Sequence, residues 1–350
     1  MLSLAAELGD QLEAGHRSGL AGDALPSAEG LTAVVVCGMG GSGVGGDILR
    51  AVLSSRVGLP IVVVKGYALP AFCGRDTLVV ASSFSGNTEE AIAAYEQAVA
   101  RECRVVAVSG GGQLAALAEA DQVPHVALPP DVPMPRAALG YLAGVPLGIM
   151  EAIGLVPGME REVEVTVRLL RGLSARLGPG AGFESNEAKA LAAWIGDRVP
   201  VVWGSEGLAE AAALRWKTQV NENAKGPAWH SVFPELDHNE VEGWSAGSGK
   251  DHVAIALRHP GEHPKVAARV EATSEAIRDA GLEVREVHGS GGGPLEWLFS
   301  LVMLGDFVTT YLGVLRGHDP MPIPVLTGLK QRLGEIAGRA KGPHRSEGRR

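Results

Sequence analysis

Cysteine is scarce in this chain: Cys37, Cys73 and Cys103 are the three in 350 residues. They lie far apart and form no C-x-x-C pair, which argues against a disulfide framework or a zinc knuckle and fits a reducing cytoplasm. No H-E-x-x-H or Cys/His cluster occurs, so no metal is expected. Aromatic residues make up only 5% of the chain. Basic residues are outnumbered, with 31 Lys and Arg against 40 Asp and Glu and a formal net charge of −9. That balance argues against nucleic acid or an anionic membrane as the main partner, while leaving room for a local phosphate site. No apolar run reaches the ~20 residues of a membrane span. The most apolar stretches, 137–150 and 297–305, are cut short by Pro146, Glu151, Glu296 and Asp306 and are expected to be core helices. The start, MLSLAAELGDQLEAGHRSG, lacks the basic region, apolar core and cleavage site of a signal peptide and reads as an amphipathic helix.

Glycine, by contrast, is plentiful at 48 residues, within a chain that is 46% hydrophobic. Short apolar runs at 33–37, 61–64, 78–82, 105–108 and 125–128 alternate with stretches rich in Ala, Leu and Glu. Such alternation predicts parallel strands covered by helices on both faces. After the proline-rich PPDVPMPR at 129–136, helices are expected at 137–153 and 158–177, and GPGAG at 178–182 punctuates the chain. A second alternation follows: strands at 199–203, 253–257 and 283–287, and helices at 208–223, 264–280 and 294–315. The expected organisation is α/β, with one doubly wound unit over 1–154, a second over 155–336, and a disordered basic tail at 337–350.

The first run leads into CGMGGSGVGGDIL, a strand, glycine turn and helix start that aims backbone N–H groups at one spot and suits an anion. Gly38, Gly40 and Gly43 satisfy G-x-G-x-x-G, but the next strand ends in Lys65 where a dinucleotide site wants an acid, which weakens without excluding that reading. The third run leads into SFSGNTEEA, residues 83–91, where Ser83, Ser85, Asn87 and Thr88 cluster at a strand-to-helix turn with Gly86 at the bend. One hydroxyl could be a helix cap; four hydroxyl and amide groups better suit a phosphate cradle.

These two turns resemble the sugar isomerase (SIS) domain, and NENAKGPAWHSVFPELDHNEVEGW at 221–244 with PRAALGYL at 135–142 narrows the resemblance. Together they are similar to the bifunctional phosphoglucose/phosphomannose isomerase family, over almost the whole chain. The resemblance implies two SIS-type, flavodoxin-like domains, a cofactor-free aldose–ketose isomerase acting on a sugar phosphate, and a homodimer. It implies that Gly41, Ser42, Ser83, Ser85 and Thr88 hold the phosphate. Met321, in DPMPIP, stands where the family commonly has a small polar residue.

Isomerisation needs a proton-transferring base, a group to stabilise the enediolate and an acid/base to open the sugar ring. Glu222 falls at the C-terminal end of an expected helix, where the dipole disfavours a carboxylate; it could be a solvated residue at a fraying end, and the resemblance makes it the base. Arg136 is the lone charge before an apolar helix, suited to an enediolate, a phosphate or an inter-domain ion pair. The resemblance gives His238 and Lys330 to ring opening, with His238 reaching the partner subunit's site and Asp237 and Glu240 orienting it. A monofunctional isomerase would carry nearly the same residues. A non-catalytic phosphosugar sensor would keep the serine loop without needing Glu222, His238 and Lys330 together. Two further motifs, GWSAG at 243–247 and HGSGGG at 288–293, mimic a hydrolase, but no strand is expected before the serine.

Overall fold

The computed structural model describes residues 1–245, 247 and 249–340, the last four by backbone alone. Its first half holds five strands: β1 (Ala33–Cys37), β2 (Ile61–Val64), β3 (Thr77–Ser83), β4 (Arg104–Ser109) and β5 (His125–Ala127). They pair in the order β2-β1-β3-β4-β5, all parallel, with Val36 opposite Val63 on one side and Val80 on the other. Every residue of β1 and β3 is buried, as expected of strands covered on both faces. The chain reverses its direction of travel across the sheet between β1 and β3, which is where open sheets of this kind place ligands.

The second half repeats the class with β6 (Val199–Ser205), β7 (Trp229–Phe233), β8 (His252–Arg258) and β9 (Glu283–His288), ordered β7-β6-β8-β9 and again parallel. Strand β7, WHSVF, is absent from the sequence reading. It lies at the sheet edge and only Phe233 is fully buried, so it lacks the β-branched run that marks the central strands. Between β6 and β7 runs the Leu208–Asn223 helix, which returns antiparallel to β6 and carries Glu222 away from the carboxyl end of its own sheet.

Pro146 and Asp306, expected to interrupt apolar stretches, both sit inside continuous helices, Leu139–Ala152 and Pro294–Leu315. Asp306 is tolerated because Arg215 Nε and Nη2 bind its two carboxylate oxygens at 3.0 Å each, leaving both residues buried. The Pro294–Leu315 helix is long and apolar enough to cross a bilayer, yet nearly all of it is enclosed by the rest of the chain.

The Leu139–Ala152 helix crosses Leu8–Leu20 with almost nothing between the backbones. A methyl group placed on Gly148 would lie 2.1 Å from His16 O, one on Gly144 2.6 Å from Leu12 O, and one on Gly19 2.2 Å from Val145 O. Pro146 has no N–H to offer Leu142 O, and that carbonyl instead faces Gly45 of the Gly40–Leu53 helix, where a methyl would come within 2.3 Å. Glycines spaced by four thus bring three helices into backbone contact immediately after Arg136. Near the C-terminus the Pro324–Ala340 helix continues four residues into the segment expected to be a disordered tail, and the remainder of that tail lies outside the described residues.

Candidate active site

The two turns predicted to cradle a phosphate follow β1 and β3, neighbours in the sheet, and they are bonded to each other. Ser42 Oγ, buried in the first turn of the Gly40–Leu53 helix, accepts the N–H of Phe84 at 3.2 Å. Ser83 Oγ donates to Thr88 Oγ1 at 2.8 Å, and Ser85 Oγ accepts the Asn87 N–H at 3.2 Å. Gly86 makes the bend at φ +70°, and a Cβ there would strike Gly111 O, so only glycine fits. Helix Glu89–Ala100 opens with Glu89 and Glu90, whose charges complement its dipole. No side-chain cap occupies the N-terminus of Gly40–Leu53 among the described residues. Lys65, the residue out of place for a dinucleotide, is ion-paired to the buried Asp47, whose carboxyl is pushed up by burial and held down by the Lys65 ammonium.

Beside this cradle lies Arg136. A Cβ on Gly41 would lie 2.8 Å from Pro135 O, so the glycine turn and the Pro135–Ala137 turn touch backbone to backbone. Arg136 is 4% exposed and every guanidinium nitrogen has a partner: Nη1 donates to Glu222 Oε2 at 3.2 Å, Nε to Asn223 Oδ1 at 3.3 Å, and Nη2 to Pro320 O and Met321 O at 2.9 and 2.7 Å. Burial pulls its pKa down while Glu222 opposes the shift, and a guanidinium remains charged through both. Its own carbonyl is held by Arg215 Nη2 at 2.7 Å, and Asn223 Nδ2 donates to Thr309 Oγ1 at 3.2 Å. Glu222 faces an open cleft of about 620 Å³ lined also by Asn221, Lys225, His318 and Ile323. The arrangement is a carboxylate beside a rigidly held cation, whose turn touches the backbone of a hydroxyl-rich anion cradle.

Residues 184–333 match the bacterial phospho-glucose isomerase C-terminal SIS domain. The chain is 36% identical to the bifunctional phosphoglucose/phosphomannose isomerase of Caldicellulosiruptor bescii, over 88% of this chain and 91% of that protein. It is 32% identical to the enzyme of the same name from Aquifex aeolicus, over 87% and 91%. The chain belongs to the bifunctional phosphoglucose/phosphomannose isomerase family. A crystal structure of a hypothetical protein from Thermus thermophilus shares the fold, with a TM-score of 0.73 and 19% identity, covering 96% of this chain and 89% of that one.

Within this family member the predicted site residues fall into two groups. Ser42, Ser83, Ser85 and Thr88 converge through the bonds above, and Gly41 joins them to Arg136 and Glu222. His238 and Lys330 do not line the cleft beside Glu222. His238 ends a turn beyond the edge strand β7, with its side chain exposed. The expectation that Asp237 and Glu240 orient it is corrected by their partners: Asp237 binds Arg269 and Thr273, at 3.1 and 2.8 Å, and Glu240 accepts Trp203 Nε1 at 3.0 Å. Lys330 is exposed on the Pro324–Ala340 helix. Met321 reaches Arg136 only through its backbone carbonyl; its sulfur accepts from the N-terminal ammonium at 3.5 Å.

The isomerase-family site contains residues the sequence reading passed over: Asn223, Arg215 and Asp306, which fix Arg136. The signal of Arg215 and Asp306 was a single charge on each of two otherwise apolar helix faces, a pattern that calls for a buried partner, whereas Asn223 carried none. The hydrolase-like motif is correctly set aside, since the short Glu240–Gly243 helix precedes Ser245 and Ser245 Oγ donates to Glu242 O at 2.8 Å. Ala246 of that motif lies outside the described residues.

Proposed function

We propose that this chain interconverts fructose 6-phosphate with glucose 6-phosphate and mannose 6-phosphate through an enediol, with the phosphate on Ser42, Ser83, Ser85, Thr88 and the Gly41 backbone. The observation that carries the reading is the 3.2 Å contact of Arg136 Nη1 with Glu222 Oε2, made by an arginine whose preceding residue, Pro135, touches the Gly41 backbone of that cradle. Glu222 takes the C2 proton of the open-chain aldose and returns it to C1, while the O2 hydroxyl proton passes to O1 as the enediol becomes the ketose. Negative charge gathers on the former carbonyl oxygen and Arg136 stabilises it, fixed in advance by its three other hydrogen bonds. Serving both aldoses requires tolerance at C2, where they differ.

His238 and Lys330 open the ring, and the enzyme works as a cytoplasmic homodimer without cofactor, metal, nucleic acid or membrane. The dimer is supported by the Pro324–Ala340 helix, where Leu326, Leu329, Leu333 and Ile336 form one apolar stripe, 41–62% exposed, flanked by Lys330. The exposed position of His238 past an edge strand suits donation into the partner's site. Residues 1–154 form the phosphate-binding unit and 155–336 the unit carrying Glu222.

The test is a coupled assay with each of the three sugar phosphates, without added metal, on the wild type and Glu222→Gln. The substitution should lower the rate at least ~100-fold, the scale of general acid–base catalysis. Activity that survives it removes the base assignment, and a wild type inactive on all three sugars is a phosphosugar sensor instead.

A further inference from the structure

Lys225 occupies a backbone conformation that lysine rarely adopts. It follows the Leu208–Asn223 helix and its cap residue Ala224, at φ +55°. This is the position past a helix end where glycine is the default, because a side chain there costs about 1 kcal/mol. Glycine is available one residue later, at Gly226, yet the left-handed position carries a lysine.

The side chain shows what is gained. Lys225 Nζ donates to Glu222 O at 2.5 Å, to Pro322 O at 2.6 Å and to Pro320 O at 3.4 Å. The first bond satisfies a terminal carbonyl of the helix directly beneath the Glu222 side chain. The other two hold the strap at 318–323, which leads into the helix bearing Lys330. With prolines at 320, 322 and 324 the strap is short of N–H groups and rich in free carbonyls. Two cations supply what it lacks: Arg136 binds the carbonyls of Pro320 and Met321, and Lys225 those of Pro320 and Pro322. Glu222 offsets the repulsion between the two, and both burial and Arg136 lower the Lys225 pKa.

We infer that Lys225 is a positioning residue: it pins the 320–322 strap to the end of the Glu222 helix, and so fixes the second anchor of Arg136 and the base of the Lys330 helix. The inference rests on the proposed roles of Glu222 and Arg136. It predicts an effect on the chemical step rather than on phosphate binding, because the cradle belongs to the other sheet.

The test uses the full chain with Lys225→Gly and Lys225→Arg. Glycine suits φ +55°, which offsets part of the loss of the three Nζ hydrogen bonds, so Lys225→Gly should remain folded at the assay temperature, while kcat on fructose 6-phosphate falls about 10- to 100-fold, the scale of misplacing a group by about 1 Å. KM should change by less than about threefold. Lys225→Arg, which keeps the charge and the donors, should recover most of kcat. A wild-type kcat in Lys225→Gly, a loss expressed only in KM, or a loss that follows melting temperature and is not recovered by arginine overturns the inference. Glu222→Gln assayed in parallel separates the two readings. If it retains activity the base assignment fails; if it is dead while Lys225→Gly is normal, only the role of Lys225 fails.

Discussion

Substituting alanine for glycine inside a helix has two opposed consequences, and this protein offers a matched pair of positions at which to separate them. Alanine is the better helix former by about 1 kcal/mol. At Gly172, exposed in the Met159–Leu177 helix, an added methyl meets nothing within 4 Å, so Gly172→Ala should stabilise the protein by about 0.5–1 kcal/mol. At Gly148 the same methyl lies 2.1 Å from His16 O and 2.8 Å from Leu20 N. Both are backbone atoms that no rotamer change can move, so the helices must part by about 1 Å to restore van der Waals contact. Overpacking of this kind costs about 1–3 kcal/mol, and the rigid neighbours place Gly148→Ala at the upper end. Net of propensity, it should destabilise by about 2 kcal/mol, and melting temperature should fall by about 3 °C. Differential scanning calorimetry of the two variants under one set of conditions gives the comparison. If Gly148→Ala melts at or above the wild type, as Gly172→Ala should, the backbone contact between Leu8–Leu20 and Leu139–Ala152 is not as described.

Other expectations concern the site and pH. Arg136→Lys leaves one point charge where four hydrogen bonds were shared among three nitrogens, and should lower kcat/KM by about 100- to 1000-fold, equivalent to about 3–4 kcal/mol; retention of near wild-type kcat/KM refutes the role given to that fork. Ser83→Ala should raise KM for fructose 6-phosphate about tenfold with a smaller effect on kcat, and a pure kcat effect would move Ser83 out of the cradle. Burial pulls the pKa values of His125, His230 and His259 below their ordinary value of 6.5, so these rings stay neutral in the fold and protonate more readily once unfolded. Stability from this source is complete above the unfolded value and is lost as pH falls through it. Urea midpoints should therefore drop between about pH 7.5 and 6, an interval above the carboxylate range, and a rising midpoint contradicts the assignment.

Most strands were legible from apolar, β-branched runs: AVVVC is buried on both faces, and IVVV, at the sheet edge and fully buried only at Ile61, is β-branched throughout. Strand β7 was not, because at its half-solvated edge Trp, His and Ser stand where β2 keeps a β-branched run. At the site, the serine loop could be read from spacing, since its parts are local. The Arg136–Glu222 contact joins residues 86 apart, and only the family resemblance put the two in one sentence before the fold did so in space. Lys225 was visible only as a neighbour of Glu222, because its meaning lies in a backbone angle. Asp306 was read as the end of an apolar stretch when it is the partner of Arg215; a charge that breaks a hydrophobic pattern marks either an end or a buried pair, and one strand of sequence does not distinguish them.

The glycines that let Leu8–Leu20 and Leu139–Ala152 touch also govern when those helices can exist. Gly15 and Gly19 on one, and Gly140, Gly144 and Gly148 on the other, each disfavour an isolated helix by about 1 kcal/mol. Neither segment holds its shape well until the other is present, and more than a hundred residues separate them. On the ribosome, the N-terminal segment therefore waits, largely unformed, while the whole first sheet is made. The docking of its beginning against its end then completes the first half and holds the Pro135–Ala137 turn through Gln11 Nε2 and Ala137 O, while the Arg136 guanidinium still has to meet its partners from the second half.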